Sequence, residues 1–249
     1  MRSVGLVTQI EKEKRILRRH KMKVSGNILK MKSTLTSPVQ YSLPLGDELV
    51  PMNELIGKKI NMTFNGVINC LSTGKQIKKS YGQGYSFEAF MKLACCDMCI
   101  LKPEQCHYSK GTCREPEWGE KNCFIPHIVY LSVSSHLKIG ITRETQVPTR
   151  WIDQGATYAL PIMKVHDRKT SGMIEVEISK IMSDKTNWRK MLKNEVDEVD
   201  LYEVREQIYE EFDYLMDEYD AEDLDEEIVE INFPVTEYPT KVTSLGFDK

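Results

Sequence analysis

The chain has 249 residues, 41% hydrophobic and 29% charged, which fits a core-forming globular protein and excludes a disordered polyelectrolyte. Its formal charge of −3 hides a division: residues 195–230 hold 18 of the 37 acidic residues and one basic residue, a balance of −17, and the rest carries +14. A basic body of that kind attracts polyanions, and no stretch reaches the ~18 to 20 apolar residues of a bilayer span.

Residues 1–23 mix Lys and Arg with a few aliphatic anchors, Ile10, Ile16 and Leu17, and read as a basic arm suited to tethering nucleic acid. No apolar block of the secretory kind follows, so a cytoplasmic location is expected. Residues 24–94 form a β-rich region. Runs over 24–32, 39–45 and 59–69 alternate in the manner of strands and predict a small antiparallel sheet.

Six of the seven cysteines fall between Cys95 and Cys123, in a segment broken by Pro103, Gly111, Pro116, Gly119 and Pro126. Such a segment, residues 95–127, buries little apolar surface and needs a staple. In a reducing compartment clustered thiols favour metal over disulfides. Cys96 and Cys99 have the two-residue gap that lets one turn present two thiolates to a tetrahedral zinc ion. Cys106 and Cys113 complete one ligand set, and Cys123 and His127 offer another second pair. Spacing does not choose between them. His107 is a further candidate, and Cys95 is expected to point elsewhere. The surplus of cysteine argues for a closed, structural Zn2+ site rather than a catalytic one.

Runs over 128–133 and 137–141, joined by Ser134-Ser135-His136, predict a hairpin. Helices are expected over 172–182, with Ile174, Ile178 and Ile181 on one face, and over 184–193 after the capping pair Ser183-Asp184. In the acidic strip, Leu201, Val204, Ile208, Phe212, Leu215 and Tyr219 recur at helical spacing after Asp200, so one face should pack while the other stays solvated. A strand over 228–233 should follow. The resulting class is α+β: an N-terminal antiparallel β region, a cysteine-rich zinc-binding segment, a hairpin with helices over 128–194, and an acidic amphipathic helix with a C-terminal strand over 195–249.

Several ordered words then become diagnostic: Cys106-His107, Gly111-Thr112-Cys113-Arg114-Glu115-Pro116, Trp118-Gly119-Glu120, Val129-Tyr130-Leu131, Lys138-Ile139-Gly140-Ile141-Thr142-Arg143 and Pro148-Thr149-Arg150-Trp151-Ile152-Asp153-Gln154-Gly155-Ala156. From about Gly26 to the C-terminus, with Asp184-Lys185-Thr186 and Trp188 in support, the chain resembles the bacterial domain-of-unknown-function family 2797. The resemblance implies a second cysteine ribbon at positions that here read Cys70, Thr73, Ser86 and Ala89, so that this ribbon is degenerate and expected to be metal-free. It also implies a family that continues for some tens of residues past a segment like 238–249, making this chain a shortened member.

Within that stretch, Val129-Tyr130, then Lys138-Ile139-Gly140, then Arg150 and a helix carrying Glu175 is similar to the order in GIY-YIG nuclease-like domains. That likeness implies a phosphodiester site. Glu175 would hold a Mg2+-type ion, Arg150 would grip the phosphate with its planar fork, Tyr130 would position water, and Lys138 would add charge. Each residue also has a structural reading: Tyr130 and Trp151 as packing, Arg150 paired with Asp153 or Glu175, Gly140 and Gly155 as turn residues. Lys75, Lys78 and Lys79 with Tyr81 offer phosphate contacts and a stacking surface, and Arg143 ends the hairpin with a further charge.

The expected function is a zinc-binding protein that binds DNA or RNA through a GIY-YIG-like core and extends to a divalent-metal-dependent endonuclease. The alternative is a non-catalytic, zinc-stabilised protein-interaction module whose acidic helix docks a protein partner. In the first reading that helix could fold over the basic surface as a phosphate mimic.

Overall fold

The computed structural model describes residues 23–182 and 187–242. The expectations for the basic arm over 1–22, for the Ser183-Asp184 cap and for Asp184-Lys185-Thr186 lie outside the described residues. The architecture is α+β, as the alternation of strand and helix patterns predicts.

The N-terminal sheet is antiparallel, with β1 (Lys32–Thr34), β2 (Gln40–Leu45) and β3 (Glu48–Pro51) in that order. It is smaller than the patterning implies. Across 24–32 only the Ile28 to Leu45 bridge precedes β1. Across 59–69 only β4 (Ile68–Asn69) pairs, with β5 (Gln76–Ile77). Ile60, Met62 and Phe64 alternate as a strand does but stay exposed, since an isolated alternating run has no ladder to join.

The central sheet carries Tyr130 and Lys138 of the site. The predicted hairpin is present as β6 (His127–Val133) and β7 (Leu137–Arg143), in a register that sets Tyr130 opposite Gly140 and Ser132 opposite Lys138. Beside β6 runs β8 (Tyr158–Val165), a strand not anticipated in the sequence. Pro161 in its middle argues against a strand, because proline cannot donate to a ladder. The sheet accommodates it at a bulge: Val129 faces Met163 but Tyr130 faces Pro161. Two short strands, β9 (Glu222–Asp223) and β10 (Val229–Glu230), add to β8, so the expected strand over 228–233 is shortened to two residues.

Alternation along β6 divides the core in two. Val129, Leu131 and Val133 join Ile139, Leu160, Ile174 and Ile178 on one side. Ile128 and Tyr130 join Val39, Trp151, Ile152, Ala156 and Ile231 on the other.

The helices are α1 (Phe87–Lys92), α2 (Pro116–Asn122), α3 (Thr149–Asp153), α4 (Arg168–Ile178), α5 (Trp188–Leu192), α6 (Leu201–Glu211) and α7 (Asp213–Tyr219). Helix α4 starts four residues before the predicted Gly172, because Asp167 accepts the Thr170 N–H at 2.8 Å and caps the helix there. Asn187 caps α5, accepting the Arg189 and Lys190 N–H groups.

The acidic strip is two helices rather than one. Asp200 caps α6 as expected, accepting the N–H groups of Tyr202 and Glu203, and Phe212 leaves the helical conformation between α6 and α7. Leu201, Ile208, Phe212 and Leu215 are buried in the Val129 side of the core, and the Tyr209 hydroxyl donates to the Ile162 carbonyl. Tyr130 belongs to the opposite side. The two acidic helices are therefore a structural layer on the Val129 side, while Leu224 and Val229 at the end of the strip pack against the Tyr130 side.

Candidate functional site

The cysteine-rich segment folds as consecutive tight turns, at Ala94–Cys96, Met98–Ile100, Pro103–Gln105 and Tyr108–Lys110, followed by α2. Its prolines and glycines permit little else. These turns bring Cys99, Cys106, Cys113 and Cys123 to the wall of one small cavity of about 20 Å³, lined also by Tyr108, Trp118 and Phe124. Four thiols around a space of that size suit the ligand number of a structural zinc. Burial pushes the Cys99 thiol up to about 11 and raises Cys123, so without a cation these groups stay protonated. Among the described residues, the group of three whose donor atoms all lie within 4.8 Å of one another is Asp97, Cys99 and His107. Asp97 also binds Arg114 at 2.8 Å, and the His107 imidazole meets the Thr112 hydroxyl.

Two of the candidate ligands lie elsewhere. Cys96 approaches Cys95, with their sulfurs 3.9 Å apart, so Cys95 does not point away from its neighbour. His127 is fully buried at the start of β6, and its Nδ1 meets the Ile125 carbonyl at 2.7 Å. Burial holds His127 down to about 4, so it is neutral at physiological pH.

The segment is joined to α4. Arg168, the first residue of α4, donates to the Ile100 carbonyl at 2.6 Å, and its backbone N–H bonds Cys123. Arg168 and Arg143 lie close enough to favour the charged form of Cys123. Four thiolates on a divalent ion carry a net charge of about −2, the counter-charge these half-buried guanidiniums need. Gly172 of α4 lies against Pro103, where a Cβ would come within 2.5 Å of the Pro103 Cβ. Gly172→Ala should therefore cost about 1–3 kcal/mol by overpacking, seen as a lower midpoint in urea with unchanged slope.

Four elements converge next to this joint. Tyr130 on β6 is fully buried and donates to Gln154 at 2.6 Å. Its hydroxyl occupies space that a Cβ on Gly140 would enter, at 2.7 Å, so this glycine serves a close approach within the sheet rather than a turn. The Arg150 guanidinium at α3 and the Glu175 carboxylate on α4 both act on the phenol, which burial pushes up to about 12. Lys138 is buried beside Tyr130 on the same face of the hairpin, and burial and then Arg150 lower its proton affinity. Arg150 is exposed and Glu175 half-buried, so the two reach solvent above a buried phenol and ammonium. Arg150 does not pair with Asp153, which instead binds Lys30 at 2.5 Å.

The remaining candidates sit apart from this cluster. Lys75, Lys78 and Lys79 are exposed near β5. Lys79 lies 5.0 Å over the Tyr81 ring, which packs against Phe87 and Phe90 and is thereby occupied within the fold. Arg143 bonds the Asn122 side chain at 2.9 Å. Sequence reasoning passed over Gln154 and Arg168. Gln154 stands four residues after Arg150, a helical spacing that could have paired them; nothing local marks Arg168, whose partners lie far away in the chain.

No curated protein and no solved structure matches this sequence. Residues 57–249, beginning some thirty residues after the point from which the resemblance was traced, match the family described as "Protein of unknown function (DUF2797)". With more than half of the chain matched, the protein belongs to the DUF2797 family.

Proposed function

We propose that this protein binds the phosphate backbone of a nucleic acid at the Arg150 cluster, and that a zinc ion held by Cys99, Cys106, Cys113 and Cys123 fixes the frame on which the cluster is built. The observation that supports this most is the meeting of Arg150, Glu175, Lys138 and Tyr130, carried by four separate elements, beside the joint between the thiol cavity and α4. A planar guanidinium over a buried ammonium suits a phosphate, and the body outside the acidic strip is strongly basic. The order of these residues is similar to that of GIY-YIG nuclease-like domains, with Lys138 where those domains have a second tyrosine. In that reading Glu175 supplies the hard oxygen that a Mg2+-type ion takes alongside water and phosphate oxygens.

Arg150→Ala should leave the fold intact, weaken binding to a mixed DNA and RNA pool about 10- to 100-fold at low salt, and lower the slope of log affinity against log salt by about 1. Equal affinity across the salt series would remove the proposal. Glu175→Gln separates cleavage from binding: a Mg2+-dependent phosphodiesterase loses turnover and keeps affinity.

A second reading, binding without cleavage, is favoured by one observation. The Tyr130 hydroxyl is shut away from solvent, committed to Gln154 and held protonated, a poor position for handling water. In that case the exposed acidic side chains of α6 and α7 are the surface for a protein partner.

A further inference from the structure

The turns of the cysteine-rich segment point two acceptor atoms at each other. Asp97 caps the turn Met98–Ile100, which carries Cys99, and His107 opens the turn Tyr108–Lys110. Gly111, at φ +70°, then brings Thr112 back to His107. The Thr112 hydroxyl donates to the His107 carbonyl at 3.2 Å, so at the imidazole it accepts, taking the Nδ1–H at 2.8 Å. The proton is thereby fixed on Nδ1, and the Nε2 lone pair faces the Asp97 Oδ2 at 3.4 Å.

The carboxylate cannot easily turn away. Its Oδ1 accepts the Met98 N–H at 2.6 Å, and its Oδ2 takes the Arg114 guanidinium at 2.8 Å. Arg114 is itself anchored on the Phe90 carbonyl at 3.0 Å. A lone pair and a carboxylate oxygen at this distance repel each other unless a cation lies between them. A proton would join these two atoms alone. A metal ion joins three, and the third donor is in place: Asp97, Cys99 and His107 are the group whose donor atoms all lie within 4.8 Å of one another. The 3.4 Å from nitrogen to oxygen also fits the ~3.3 Å edge of a tetrahedron with bonds of about 2.0–2.1 Å.

We infer that Asp97, Cys99 and His107 bind a divalent ion of the zinc class, with a fourth position left for water or an anionic oxygen. One carboxylate, one thiolate and one imidazole suit such an ion, and three protein ligands are the donor number of an open site. Thr112 and Arg114 orient the ligands from behind. Asp97 and Cys99 also line the four-thiol cavity, so the two sites adjoin and the Cys99 thiolate is shared between their ions. The inference touches the zinc-frame reading only through Cys99 and does not require it: with the cavity empty, the three donors take one ion, and the Cys99 proton passes to solvent.

The full-length chain, stripped of metal and kept reduced, is titrated with Co2+ and followed by native mass spectrometry and by its visible absorbance. The wild type should take two ions. Asp97→Asn and His107→Ala should each take one, keeping the strong thiolate-to-metal band of the four-thiol site. The double variant Cys113→Ser and Cys123→Ser should also take one, with a weaker band, and adding His107→Ala to that pair should leave none. His107→Ala guards against an Asp97→Asn chain that does not fold, because Asp97 also holds Arg114. Two ions retained in both single variants would overturn the inference, as would a single wild-type ion that is lost on changing Cys113 and Cys123. A single ion that survives those cysteine changes and is lost in His107→Ala contradicts the zinc frame instead, and leaves this site standing.

Discussion

Changing Cys113 and Cys123 together to serine is expected to lower the melting temperature on the order of 10 °C, corresponding to ~3–4 kcal/mol for a chain of this size. The same change should open the segment from Cys99 to Cys123 to proteolysis. Structural zinc contributes its binding free energy to folding, and this segment has little else: consecutive turns, two prolines and few buried side chains. The second contribution is electrostatic. Arg168 is half-buried against Cys123 and Ile100, and removing the thiolates leaves its charge without compensation. Differential scanning calorimetry with and without chelator measures both. Identical melting of wild type and variant at full metal loading would show that the cysteines carry no metal-linked stability.

Deleting residues 195–230 should unfold the protein rather than release a basic nucleic-acid-binding body. The deletion removes Leu201, Ile208, Phe212 and Leu215 from the core, each worth about 1.5–3 kcal/mol on burial, and takes β9 and β10 from the edge of β8. A sum of that size is comparable to the whole stability of a typical domain, about 5–15 kcal/mol. The charge of the strip is tested separately. Glu203, Glu210, Glu211 and Asp217 are exposed, and changing them to Gln or Asn should leave the melting temperature within a degree or two. A loss of affinity for a protein partner would then assign the acidic face to docking.

Much of this was legible in residue order. The hairpin, its Ser-Ser-His loop, the Asp200 cap and the buried face of the acidic helices follow from period-2 and period-3.6 patterns and from capping chemistry. What escaped was set by distant partners. Strand β8 carries Pro161, which local propensity disfavours and a bulge opposite Tyr130 tolerates. Extended runs such as Ile60 to Phe64 have the pattern of a strand without a ladder to join. For the candidate metal ligands, spacing named Cys96, Cys99, Cys106, Cys113, Cys123 and His127 but could not say that Cys99, Cys106, Cys113 and Cys123 line one cavity, or that Cys96 turns toward Cys95. That division depends on how the turns close in space. Gln154 and Arg168 acquire meaning only once α3 and α4 are seen against β6 and Cys123.

The central claim is that metal in the thiol cavity positions α4, and with it Glu175, against Arg150. Amide hydrogen exchange across 168–178, read before and after chelation of the metal-loaded protein, tests it most directly. The account predicts that protection in α4 falls together with that of residues 99–123 when the ion is removed, and returns when zinc is restored. Protection of α4 that stays unchanged while the cysteine segment opens would contradict it.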